Sequence, residues 1–134
     1  MRPLAVKSLP HTRTLALETL MPSPTPQARI VLTTADNPKE ATRLARTLVE
    51  ERLAACVNLI PAVQSIYRWE GQIETATETM LLIKTLPGQI DALEARLHQL
   101  HSYQTPEFLV LDVESGSHRY LDWLQASVGQ PLGS

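Results

Sequence analysis

Residues 57–85 read VNLIPAVQSIYRWE, Gly71, QIETATETMLLIKT: two β-rich runs, 57–70 and 72–85, meeting at one turn signal, Glu70-Gly71. At roughly 3.3 Å per residue each run spans about 46 Å. A domain of about 100 residues, with a radius of gyration near 13 Å, is only about 34 Å across. The hairpin must therefore bend, break or project beyond its own core. Tyr67 and Trp69 share one face near its far end, and a lone soluble domain seldom leaves such rings in water. A subunit whose hairpin lies across a neighbour satisfies both conditions. The chain is expected to be an obligate oligomer.

Upstream of the hairpin, residues 29–34 (RIVLTT) make a short first strand. Asn37-Pro38-Lys39-Glu40 then supplies a helix start, with Asn37 as cap, Pro38 at the first helical position and Glu40 where a capping-box carboxylate belongs. Ala41, Leu44, Ala45, Leu48, Val49 and Leu53 follow at helical spacing, with Arg43, Arg46, Glu50 and Glu51 on the solvated side. Within the hairpin, residues 80–83 (MLLI) are apolar without alternation, as a central strand covered on both faces requires. Pro61 suits an edge strand or a bulge.

Downstream, Leu86-Pro87-Gly88 opens a second helix with Ile90, Leu93, Leu97 and Leu100 on its apolar face, ending near His101. Residues 108–113 (FLVLDV) form a fourth strand, and Ser117 caps a short last helix with Tyr120, Leu121 and Leu124. The order β-α-β-β-α-β, with an extra C-terminal helix, is an α+β pattern. It is the split β-α-β or ferredoxin-like arrangement, one antiparallel sheet with two helices on one face. Crossover handedness places strands 1 and 3 at the centre and strands 2 and 4 at the edges.

At 134 residues the chain holds one domain, assigned to residues 28–127, with tails at 1–27 and 128–134. Residues 1–27 carry Pro3, Pro10, Pro22, Pro24 and Pro26 and read as a disordered linker. A targeting segment, or a translation start at Met21, are the alternatives. The net charge of −2 and the lack of any polybasic run exclude nucleic acid and anionic membranes as expected partners. No apolar stretch approaches the ~20 residues of a membrane span. Cys56 is the one cysteine, which excludes an intrachain disulfide or a Cys-x-x-Cys site and points to a reducing cytoplasm.

Several phrases go beyond periodicity. Residues 52–61 (RLAACVNLIP) run on to 65–73 (SIYRWEGQI) and 82–85 (LIKT), then to 101–107 (HSYQTPE) and 120–124 (YLDWL). Together they resemble the CutA family of divalent-cation tolerance proteins, over about residues 29–126. The resemblance implies a ferredoxin-like subunit in a tight homotrimer, its long hairpins reaching around the three-fold axis as in PII-type signalling proteins. It also implies a role in tolerance of divalent metals, notably copper, without an enzymatic reaction.

His101 is the leading metal-ligand candidate, since imidazole suits copper and zinc; the structural alternative is a histidine that closes the helix by bonding its free carbonyls. The copper pattern of bacterial members falls here on Thr33, Leu100 and His101, so a hydroxyl and an aliphatic chain stand where a thiolate and an imidazole are implied. Glu78, Glu107 and Cys56 complete the candidate metal set, with Glu70, Glu74 and Asp112 as further acids and Lys84 and Arg68 as candidate anion contacts. Buried structural thiol is the competing reading for Cys56, and solvation or pairing with arginine for the carboxylates. Tyr67, Trp69, Tyr103, Tyr120 and Trp123 read as packing or interface residues.

The leading function is thus a non-enzymatic trimer that binds a cation or small ligand in clefts between subunits. A PII-like sensor of a nucleotide or metabolite is the alternative, although no Gly-x-Gly-x-x-Gly or Walker sequence is present. A transferase on the same fold lacks a legible nucleophile–base–oxyanion set, and an RNA-binding domain lacks its aromatic-basic strand motif.

Overall fold

A computed structural model describes residues 27–129; the expectations for 1–26 and 130–134 lie outside the described residues. The elements are β1 (Arg29–Ala35), α1 (Pro38–Glu50), β2 (Cys56–Trp69), β3 (Gln72–Thr85), α2 (Ile90–Leu100), β4 (Leu109–Asp112) and α3 (His118–Ser127), with a 3-10 turn at Pro87–Gln89 before α2. The four strands form one antiparallel sheet in the order β2-β3-β1-β4, so the first and third strands are central and the second and fourth are edges.

Register assigns the faces. Val31, Thr33 and Ala35 of β1 stand opposite Ile83, Leu81 and Thr79 of β3, and all six are buried. With Leu44 and Leu48 of α1 and Leu93 and Leu97 of α2 they build the main core. The opposite face alternates with it and is only half-covered: Ile30, Leu32, Met80, Leu82 and Lys84 are half-buried, and Leu109 and Leu111 are exposed. A second cluster at one end joins Ala28, Ala55, Leu121, Leu124 and Val128, with Trp123 and Tyr120 packed on it. Val128 and Gly129 therefore join the packed body, and the Gly129 N–H donates to the Arg52 carbonyl.

The hairpin projects. β1 reaches only as far as the Ala35–Thr79 pair, so β3 from Gln72 to Glu78 has β2 as its sole strand partner. That free length is on the order of 23 Å at the usual strand rise. Pro61 sits at a register shift between Ile60 and Val63, and Ala62 beside it has φ 61; the edge strand bends there because proline cannot donate to the ladder. Glu70 (φ 49) and Gly71 (φ 78) both lie in the left-handed region, as the two central residues of a type I′ turn must.

Three expectations about α1 and its end change. Asn37 caps as read, accepting from the Glu40 N–H at 2.9 Å. Glu40, however, turns its carboxylate inward against His101, where it serves the helix N-terminus as a charge rather than as a reciprocal cap. Val49 is exposed and lines a shallow groove with Val57 and Leu59. Arg43 and Glu51 are not merely solvated: Arg43 donates to the Leu100 carbonyl at 2.8 Å, and Glu51 takes both arms of Arg96 at 2.8 Å. The Arg96 hydrogen bond holds the Glu51 carboxyl below the usual range.

Candidate functional site

The polar residues of the domain converge where β1 ends, α1 begins and α2 gives way to the loop 101–108. His101 caps α2, its own N–H donating to the Leu97 carbonyl at 2.8 Å. Its ring reaches away from the helix to β1, where Nε2 lies 2.7 Å from the Thr34 carbonyl oxygen. A carbonyl only accepts, so Nε2 carries the hydrogen. The Tyr103 backbone N–H donates to Nδ1 at 3.0 Å, so Nδ1 carries none. Both ring nitrogens are thus committed. The Glu40 Oε1 at 3.7 Å from Nδ1 faces another acceptor, and it is buried without a hydrogen-bond partner. Instead of bonding free helix carbonyls, His101 ties α2 to a central strand.

Tyr103 leans on the His101 ring, with centroids 4.7 Å apart, and donates its hydroxyl to Glu78 Oε2 at 2.7 Å. Burial, then the hydrogen bond and charge of Glu78, push the Tyr103 phenol far above its ordinary range. Burial, then the charge of Glu78, also push the Glu107 carboxyl up. Beneath this cluster run Thr33 and Thr79, 0% and 1% exposed, whose hydroxyls have no partner.

The structure therefore brings His101, Glu78 and Glu107 into one neighbourhood, with Tyr103 as the link. Cys56 stands apart. It opens β2 opposite Lys84, half-buried on the other face of the sheet, so it is neither a deeply buried thiol nor a neighbour of His101. Asp112 pairs with Arg29 at 3.0 Å. Glu74 and Glu70 are exposed on the projecting hairpin. Among the described residues no group of three or more His, Cys, Asp and Glu side chains is arranged to hold a metal ion. Sequence reading passed over Glu40 and Thr79 as site residues, named Thr33 only as the place of an implied copper ligand, and took Tyr103 for packing. Strand parity carried a signal for the threonines, since Thr33 shares the face of Val31 and Ala35.

A family model described as CutA1 divalent ion tolerance protein matches residues 29–127. The chain belongs to that family. The divalent-cation tolerance protein CutA of Thermus thermophilus is 43% identical over 100 residues, spanning 75% of this chain and 97% of the relative. Its counterpart in Pectobacterium atrosepticum is 48% identical over 101 residues, spanning 75% of this chain and 92% of the relative. The crystal structure of CutA1 from Oryza sativa superposes with a TM-score of 0.77 at 38% identity, covering 81% of this chain and 99% of that one.

Set against the copper ligands that the resemblance implies, the donors here do not fit copper. Thr33 offers a hydroxyl, a poor ligand for a soft or borderline metal, and Leu100 is packed against the core. His101 has no free lone pair in this geometry. The oxygens of Glu78, Glu107 and Glu40 suit a harder cation, but Glu78 is engaged by Tyr103.

Proposed function

We propose that this chain acts as a non-enzymatic homotrimer in tolerance of, or response to, divalent metals such as copper, its ferredoxin-like subunits binding a cation or small ligand in the clefts between them. The observation that carries the reading is the unpartnered apolar surface. Ile66, Trp69 and Ile73 are 71%, 57% and 61% exposed on the projecting hairpin. Leu109, Val110 and Leu111 are exposed along the edge strand β4. An exposed apolar edge of this kind is a pairing surface that a stable monomer would blunt with charge or proline. Covering both surfaces with further copies buries them and closes a cleft near the polar cluster.

Family membership supports the tolerance role, and the lone Cys56 supports a reducing, cytoplasmic setting. A cation held at the cluster uses Glu78 and Glu107, with any further donor from a second copy, because one chain presents no complete set. Light scattering across a dilution series, combined with calorimetric titration of Mn(II), as a hard cation, and of Cu(II) at fixed pH, tests both parts. Assembly to three copies, with cation binding reduced in Glu78→Gln and Glu107→Gln, is the expected result. A monomer at micromolar concentration overturns the assembly. Tight copper binding that only His101→Ala removes overturns the ligand assignment.

A further inference from the structure

Lys84 is the odd residue on the half-covered face of the sheet. It lies on the central strand β3, half-buried, with Ile30 of β1 and Cys56 of β2 as its cross-strand partners. Register gives it Leu82, Leu32 and Asn58 as the next neighbours on that face, so no carboxylate on the sheet is placed to pair with it. Its one recorded side-chain interaction among the described residues is with Tyr120 of α3, whose ring centroid is 5.7 Å from Nζ. The Tyr120 ring in turn packs on Trp123 at 5.4 Å, and its hydroxyl is buried with no hydrogen-bond partner.

Among the described residues, an ammonium with no counter-ion and a buried phenol hydroxyl with no hydrogen-bond partner therefore meet at one place. The Lys84 ammonium keeps contact with water, since it is not among the buried polar atoms that lack a partner, and a contact with the face of a ring leaves its charge unneutralised. The buried Tyr120 hydroxyl carries the desolvation cost of a polar group left without a partner. One group satisfies both defects: an oxyanion, which accepts from Nζ with charge assistance and from the phenol hydroxyl, and neutralises the site.

We propose, resting on the reading of this face as a wall of the intersubunit cleft, that Lys84 and Tyr120 form a binding site for the oxyanion of a small molecule, a carboxylate or a phosphate. The site is distinct from the His101 cluster. Met80 pairs with Thr34, whose carbonyl His101 bonds, and Lys84 lies four residues further along β3.

The test uses the full chain, its Lys84→Met and Tyr120→Phe variants, and two probes, sodium phosphate and sodium succinate. Melting temperature is followed against each probe at fixed pH and ionic strength, with sodium chloride as control and light scattering alongside. Phosphate stabilises folded proteins generally by exclusion from their surface, so the difference between wild type and variants is the readout. At least one probe is expected to raise the wild-type melting temperature saturably, and which one succeeds separates the two ligand sources. Lys84→Met should weaken the apparent affinity about tenfold or more, and Tyr120→Phe about two- to tenfold, both at wild-type mass. Without probe, Tyr120→Phe should melt no lower than wild type. Equal shifts in wild type and Lys84→Met, or no saturable shift at all, overturn the site. Loss of mass in Lys84→Met also overturns it, by assigning the lysine to a carboxylate of a second copy. A wild type that is monomeric yet binds the probe removes the assembly reading and leaves the site standing.

Discussion

His101 shows what a sequence can and cannot state about one residue. Its place at the end of α2 follows from the spacing of Ile90, Leu93, Leu97 and Leu100. Its role follows from the Thr34 carbonyl, 67 residues away in sequence, which no local pattern reveals. The same holds for Glu107, whose neighbour Glu78 comes from another element. Because its carboxyl is raised in the folded state, the fold binds that proton more tightly than the unfolded chain does. The associated stability is fully present below the unfolded value and is lost as pH rises through the folded one. Glu107→Gln should therefore stabilise the protein at pH 7 and change little near pH 4, as urea midpoints at the two values would show. A variant less stable than wild type at pH 7 would mean that the charged carboxylate has a favourable partner. Thr33 and Thr79 supply a second check. Where a hydroxyl is buried and truly orphaned, Thr→Val removes a penalty of about 1–3 kcal/mol. Each valine variant is expected to match or exceed wild-type stability in urea; a loss above about 1 kcal/mol would reveal a bound water or other partner that the hydroxyl serves.

At the scale of elements, the caps and turns were legible because their chemistry is local. Asn37, Pro61, the Glu70-Gly71 turn and Ser117 each do what their residue type suggests. The anchoring of α3 was not legible, since it depends on Arg52, 74 and 77 residues earlier in the sequence than the carbonyls it bonds. Arg52 holds φ 60, donates its side chain to the Gly129 and Ala126 carbonyls and accepts the Gly129 N–H on its own carbonyl. A non-glycine residue in the left-handed region carries strain of about 1–2 kcal/mol, here offset by hydrogen bonds from a charged donor to the open end of a helix. Arg52→Gly keeps the backbone at ease and deletes the side chain with its guanidinium. Amide exchange over residues 121–129 should then quicken by about tenfold or more while β3 amides keep their protection. Equal quickening in both would show that α3 and the sheet open as one unit.

For the whole molecule, the strand order was readable because two constraints agreed: an apolar run too continuous for an edge, and a proline unsuited to the centre. The extent of the hairpin was readable from length alone. What one chain's sequence cannot carry is the partner of that exposed surface, because in the proposed assembly the complementary residues are the same residues seen from another copy. Trp69 lies at the last pair before the turn, opposite Gln72, with more than half of its surface in water. Burying the remainder is worth roughly 3 kcal/mol per copy by area, and in the proposed trimer every copy would lose it together. Trp69→Ala should therefore lower the mass seen by light scattering at low micromolar concentration. Arg46→Ala, on the exposed side of α1, should leave it unchanged. Matching masses for the two variants at every concentration would show that the hairpin end is not an assembly anchor, and the edge strand β4 would then have to hold the copies together alone.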